Sequence, residues 1–211
     1  MELMEQSCGQ FLAELSSKAP TPGGGGTAAL VGAAGVALGN MVGNLTTGKK
    51  KYAAVEEEIQ ALNTRAQDLR RELEQLVQAD ADAFAPLAAA YGLPKETPEQ
   101  AAHKAAVLEK ALDAAAEVPL QIMRRCASGI ALAEQYAAKG SVMAVSDAGC
   151  AAVLCKAALQ AASLNVFINT RLMTDRARAT ELDAQAEQLL ADSVPQADAV
   201  FAAVTNKLRV K

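Results

Sequence analysis

Residues 20–45 constrain the fold most tightly. Pro20-Thr-Pro-Gly-Gly-Gly-Gly-Thr27 runs straight into a small-residue apolar segment ending at Leu45. Gly35, Gly39 and Gly43 recur at intervals of four, so a helix carries them on one face. A glycine inside a helix costs about 1 kcal/mol relative to alanine. Three on one face therefore predict that another backbone approaches closely there. The four-glycine turn also leaves bare N–H groups at the start of the helix, where ligand oxygens bind readily.

Composition settles the class. Apolar residues make up 51% of the 211, aromatics only 3%, and tryptophan is absent. A core of Ala, Leu, Val and Met favours helices, and the aromatic and β-branched runs of strands are missing. The expectation is an all-α protein: a multi-helix bundle with long central helices, one domain spanning 1–211. A net charge of −4 argues against non-specific nucleic-acid binding. Cys8, Cys126, Cys150 and Cys155 have no metal-site spacing, and His103 is the only histidine. No metal is expected, and four reduced thiols in a cytosolic core are. The start lacks a basic region and an apolar run, which predicts no secretory leader and a cytoplasmic protein. Residues 27–47 are long enough to span a bilayer, but Asn40 and Asn44 and the many Gly and Ala favour a buried central helix.

Along the chain, 1–18 reads as a short amphipathic helix stopped by Pro20 and Pro22. Val55, Ile59, Leu62, Ala66, Leu69, Leu73 and Leu76 form a heptad stripe. Thr97-Pro98-Glu99-Gln100 is a capping box with proline at the first helical position. Pro119 kinks or restarts the next helix, Ser146 caps a long apolar one reaching about Met173, and two shorter helices broken near Pro195 finish the chain.

Some residues break these patterns. The heptad step after Leu76 falls on Asp80, then Phe84, so a carboxylate occupies a position that asks for Leu. Burying it costs several kcal/mol unless it is paired or protonated, by about the usual penalty for such groups. The alternative is exposure at a frayed seam. Asp82 should point away. Lys49-Lys50-Lys51-Tyr52 either complements a helix C-terminus or, if it converges with the glycine turn and Asp80, makes an anion pocket. Ser146-Asp147 is a cap or a second acidic site. Asn165 and Asn169 share a face of an apolar helix and need partners, from another helix or from a ligand's ring edge. His103 reads as exposed, which leaves no Ser-His or Cys-His nucleophile.

Pro22 to Ala29, Met41-Val-Gly-Asn-Leu-Thr-Thr-Gly-Lys-Lys-Lys-Tyr52, Asp80-Ala-Asp-Ala-Phe84, Val118-Pro-Leu120, Ser146-Asp-Ala-Gly149 and Asn165-Val-Phe-Ile-Asn169 together resemble the cyclodeaminase/cyclohydrolase family. The likeness covers roughly residues 5–175. Two positions depart from the family pattern: Thr27 stands where Ser is usual, and Ser141 follows Gly140 where Asn is usual. The resemblance implies an all-helical homodimer, a folate site in a groove near the subunit interface, and no metal or redox cofactor, with tetrahydrofolate as substrate and carrier; no membrane partner is expected.

That resemblance implies hydrolysis of methenyltetrahydrofolate to formyltetrahydrofolate, or release of ammonia from formiminotetrahydrofolate. Both pass through a tetrahedral carbon bearing three heteroatoms. Asp80 is the expected proton-transfer group, Lys51 its partner, and Asp147 a second catalytic carboxylate. Lys49 and Lys50 suit the glutamate tail. Gly23, Gly24, Gly25, Gly26, Thr27, Asn44, Tyr52, Ser146, Asn165 and Asn169 are the remaining expected binding residues. No formiminotransferase segment accompanies the chain, which favours the cyclohydrolase. A non-catalytic folate binder and a glycine-zipper membrane hairpin are the readings of another class.

Overall fold

The computed structural model describes residues 2–209; six α-helices and three short 3-10 turns form the chain, with no strand among the described residues. α1 (Cys8–Leu15) opens on a reciprocal Ser7–Gln10 capping box. A short 3-10 turn, Leu3–Glu5, precedes it, so the expected helix over 1–18 is two pieces. α2 (Gly24–Asn44) starts from Gly23. α3 (Glu56–Tyr91) buries the heptad stripe from Ile59 to Leu76. α4 (Pro98–Lys139) opens on the Thr97–Gln100 box. α5 (Val145–Thr170) and α6 (Arg176–Arg209) complete the bundle.

Three helix boundaries differ from expectation. α4 runs unbroken through Pro119, and α6 through Pro195, so the two short terminal helices are one. Bundle packing on both flanks outweighs the single hydrogen bond each proline removes. Ser146 is not a cap: α5 begins at Val145, directly after the 3-10 turn Val142–Ala144.

α2 lies between α3 and α5, and α5 also packs on α4 and α6. The glycine face of α2 is filled from outside. A Cβ on Gly35 would sit 2.8 Å from Cys155 Sγ and 3.2 Å from the Ala151 carbonyl, the expected backbone approach. At Gly39 and Gly43 the space is taken instead by side chains: the Tyr136 ring, and the Asn63 amide 1.8 Å from a Gly43 Cβ. Tyr136 Oη donates to Asn63 Oδ1 (2.9 Å) and Asn63 Nδ2 donates to Asn44 Oδ1 (3.1 Å). Burial pushes the Tyr136 hydroxyl up to about 12.

α2 and α5 are each long and apolar enough to cross a membrane, yet 56% of the α2 window is buried against the bundle, as a core helix requires. Of the four thiols, Cys126 and Cys155 are in the core, but Cys8 and Cys150 are exposed, because they fall on the outer faces of α1 and α5. His103 is exposed.

Candidate active site

The first turn of α2 aims its amides at α3. Gly26 N–H donates to Asp80 Oδ2 at 2.8 Å. Asp80 is thus neither at a frayed seam nor in bulk water; it is half-buried on the inner side of α3 while Asp82 is exposed. Burial raises the Asp80 pKa above its ordinary value, and the Gly26 N–H draws it partly back. The fit depends on glycine. A Cβ on Gly25 would lie 2.0 Å from Asp80 Oδ1, inside contact distance of the whole carboxyl group. The backbone comes this close only because position 25 has no side chain.

Asp80, Gly23 and Gly24 border a cleft of about 150 Å³, closed by Pro20, Thr21 and Phe84 on one side and by Ala115, Pro119, Asn165 and Asn169 on the other. That is roughly the space that holds one benzene-sized ring. Thr21 and Pro22 are joined by a cis peptide bond. Among the described residues, no lysine or arginine borders the cleft.

Asn165 and Asn169 have their nitrogens committed. Asn165 Nδ2 donates to the Ala161 carbonyl (2.9 Å), and Asn169 Nδ2 to the carbonyls of Asn165 and Ala115 (both 2.8 Å). Carbonyls need donors, so this fixes the orientation of both amides and leaves their oxygens as acceptors bordering the cleft. The Ala115 bond also explains Pro119. Proline has no N–H for the carbonyl four residues back, and Asn169 supplies the missing donor. Pro119 therefore ties α4 to α5 at the cleft wall. The motif Val118-Pro-Leu120 was visible in the sequence, but the Asn169 contact across 54 residues was not.

The other expected site residues lie elsewhere. At about 1.5 Å per residue, Gly25 and Asn44 are roughly 28 Å apart along α2. Lys49, Lys50, Lys51 and Tyr52 follow Asn44, so within one chain they do not converge with Asp80. Lys51 Nζ is 5.5 Å from the centre of the Tyr52 ring, and the Tyr52 hydroxyl accepts the Val142 N–H (3.0 Å), which holds its pKa below the ordinary value. Ser146 and Asp147 are at this same far end, because α5 runs antiparallel to α2: Asn165 meets Gly24, and Ala151 meets Gly39. Asn44 Oδ1 accepts the Asn63 Nδ2 hydrogen bond at the far end of α2. The Thr27 hydroxyl donates to the Gly23 carbonyl (2.7 Å), closing the glycine turn instead of facing the cleft. At Ser141, the backbone N–H is held by the Thr46 hydroxyl (2.7 Å).

The chain matches the family model described as formiminotransferase-cyclodeaminase over residues 7–188. It is 44% identical to a methenyltetrahydrofolate cyclohydrolase of Methylorubrum extorquens over 198 residues, which are 94% of this chain and 95% of that protein. It is 32% identical to the formimidoyltransferase-cyclodeaminase of Mus musculus, covering 94% of this chain but 37% of the mouse protein. The crystal structure of formiminotetrahydrofolate cyclodeaminase from Thermotoga maritima superposes with a TM-score of 0.84 at 30% identity, covering 98% of both chains. With a family match across most of its length and a full-length relative at this identity, the chain belongs to the formiminotransferase-cyclodeaminase family.

Proposed function

We propose that this protein hydrolyses 5,10-methenyltetrahydrofolate to formyltetrahydrofolate, with Asp80 as the proton-transfer group. The observation that carries the reading is the Asp80 carboxylate at the cleft wall, with Oδ2 held by the Gly26 N–H and Oδ1 without a described donor. The methenyl carbon is cationic, and a carboxylate beside it stabilises its approach. Asp80 Oδ1 takes a proton from water as the oxygen adds to that carbon. In the neutral adduct, one C–N bond then breaks. Asp80 returns the proton to the departing nitrogen, the hydroxyl loses its own to solvent, and the formyl C=O forms. One cation and one water give one neutral product and one released proton. Such proton transfer contributes about 10²- to 10⁴-fold. The two amide oxygens of Asn165 and Asn169 suit the N–H donors on the pterin edge.

In this reading, folate is substrate and carrier, no other cofactor takes part, and the enzyme works in the cytoplasm as a homodimer. The higher identity to a cyclohydrolase, 44% against 30% to a cyclodeaminase of equal span, supports hydrolysis over deamination. The likeness to cyclodeaminases supports formiminotetrahydrofolate as the second substrate to test, with Asp80 then acting as the acid toward departing ammonia. The deciding experiment assays both substrates side by side. Loss of near-ultraviolet methenyltetrahydrofolate absorbance well above the spontaneous rate is expected. Ammonia release alone selects the deaminase, and folate retention without turnover of either selects a binder.

A further inference from the structure

Resting on the reading of a folate in this cleft, we propose that Pro119 is a positioning residue. It makes Asn169 a reader that can only accept, so the cleft selects a ring edge carrying N–H donors. Pro86, Pro119 and Pro195 all lie inside helices. Each leaves the carbonyl four residues back without its helical donor, at Asp82, Ala115 and Ala191. Pro86 and Pro195 are exposed, as are Asp82 and Ala191, so solvent is at hand there. Pro119 and Ala115 are buried. A buried carbonyl left unpaired is costly, and here the donor comes from a cleft residue: Asn169 Nδ2, at 2.8 Å.

An asparagine on a cleft wall ordinarily offers either face, since its amide carries both donors and an acceptor and can turn half a revolution. Asn169 has lost that choice. One Nδ2 proton goes to the Asn165 carbonyl and the other to the Ala115 carbonyl, both at 2.8 Å. Turning the amide would set Oδ1 against two carbonyl oxygens. With an N–H at position 119, the Ala115 carbonyl would be supplied from its own helix. One Asn169 proton would then be released, and the amide could meet a ligand as donor or acceptor. Asn165 adds a second oxygen to the wall: its Nδ2 donates to the Ala161 carbonyl (2.9 Å), and the amide sits where a Gly24 Cβ would be 3.1 Å from Nδ2 and Oδ1. Two acceptors call for two donors on one ring edge. A reduced pterin offers such a pair in two ways, N3–H with the 2-amino group, or the 2-amino group with N8–H. Both use the 2-amino group. An edge presenting oxygen or unprotonated nitrogen is refused, because acceptor would face acceptor.

The test compares equilibrium binding of tetrahydrofolate with that of its analogue carrying a methyl group in place of the 2-amino group. Wild-type protein should bind the analogue about tenfold more weakly. Pro119→Ala, which returns an N–H to the Ala115 carbonyl, should keep its helicity, yet the discrimination should shrink to about threefold or less. Asn169→Ala should lose the discrimination too, and adding Pro119→Ala to it should change nothing further, as a residue acting through Asn169 requires. Discrimination retained in folded Pro119→Ala overturns the inference; should that variant not fold, discrimination retained in Asn169→Ala overturns it. Equal binding of both ligands by wild type overturns it while leaving the proposed function standing. Binding with discrimination but without turnover of either folate substrate overturns the proposed function alone. A ligand-free measurement is independent of both: by nitrogen-15 NMR, both Asn169 side-chain amide protons should exchange slowly with solvent, and Pro119→Ala should speed one of them about tenfold. Fast exchange of both in wild type, or no change in the variant, refutes the positioning role. If wild type binds neither ligand, the proposed function falls and with it the ring selection, and the exchange rates alone decide whether Pro119 sets Asn169.

Discussion

Gly25→Ala is the substitution that most sharply separates the catalytic reading from ordinary packing. The new methyl carbon would stand 2.0 Å from Asp80 Oδ1, 2.5 Å from Cγ and 2.8 Å from Oδ2. Real carbon atoms do not approach so closely, so the carboxylate must leave. Its departure forfeits the Gly26 hydrogen bond (2.8 Å), a charge-assisted contact worth about 1.5–3 kcal/mol. Against this, alanine favours a helix over glycine by about 1 kcal/mol, and the released carboxylate regains water. The net loss of stability should stay within about 2 kcal/mol. Turnover should fall much further, by about 10²- to 10⁴-fold, because the proton acceptor is no longer at the cleft. Rates come from methenyltetrahydrofolate absorbance, stabilities from thermal melts by circular dichroism. Gly9→Ala, with open space around its Cβ, is the control and should change neither. In an Asp80→Asn background Gly25→Ala should cost little more turnover. Turnover within tenfold of wild type in Gly25→Ala, or a full further loss in the double variant, would refute the reasoning.

Other outcomes follow from the same geometry. Asp80 must be ionised to take a proton, and burial holds its pKa above the ordinary value; kcat/KM should therefore fall on the acid side with an apparent pKa above that of a free aspartate, and the limb should vanish in Asp80→Asn. The same shift means the folded state binds its proton more tightly than the unfolded state. Its contribution to stability is full below the ordinary aspartate value and is lost as pH rises through the raised one, so Asp80→Asn should melt no lower than wild type at neutral pH. Gly43→Ala, whose methyl group would meet Asn63 and Tyr136, should destabilise the fold by about 1–3 kcal/mol in chemical denaturation, and an unchanged midpoint would show that the Asn63–Tyr136 pair yields freely.

Periodicity exposed what depends on neighbours along the helix. The stripe from Ile59 to Leu76 and its acidic interruption at Asp80 were legible because spacing alone decides which face a residue occupies. The Thr97 box was legible because its partner is three residues away. Contacts set by tertiary packing were not. Pro119 signals a break locally, yet Asn169 restores the carbonyl partner it removes, and nothing within one helix announces that. The hydrogen bonds of Thr27 to Gly23 and of Asn44 to Asn63 were likewise not legible in the spacing. The lysine run was joined to Asp80 because both belong to one sequence pattern, whereas a 21-residue helix holds them apart.

This separation has a physical logic that begins at the glycines. A carboxylate with a raised pKa must be kept from both water and nearby cations, since either would stabilise its charge and weaken it as a base. The glycine turn admits Asp80 with a single described donor, the Gly26 N–H, and the residues lining the cleft with it include proline, alanine and neutral amide. A lysine on the same chain beside this wall would pair with Asp80 before any ligand arrived. Cations set away from this wall can instead meet the far end of the ligand, beyond the single-ring cleft, and leave Asp80 unpaired. Moving a lysine into the wall by Ala115→Lys should then lower the pKa of the acid limb of kcat/KM while reducing turnover. An unchanged limb in a folded Ala115→Lys protein would show that isolation from cations is not what tunes Asp80.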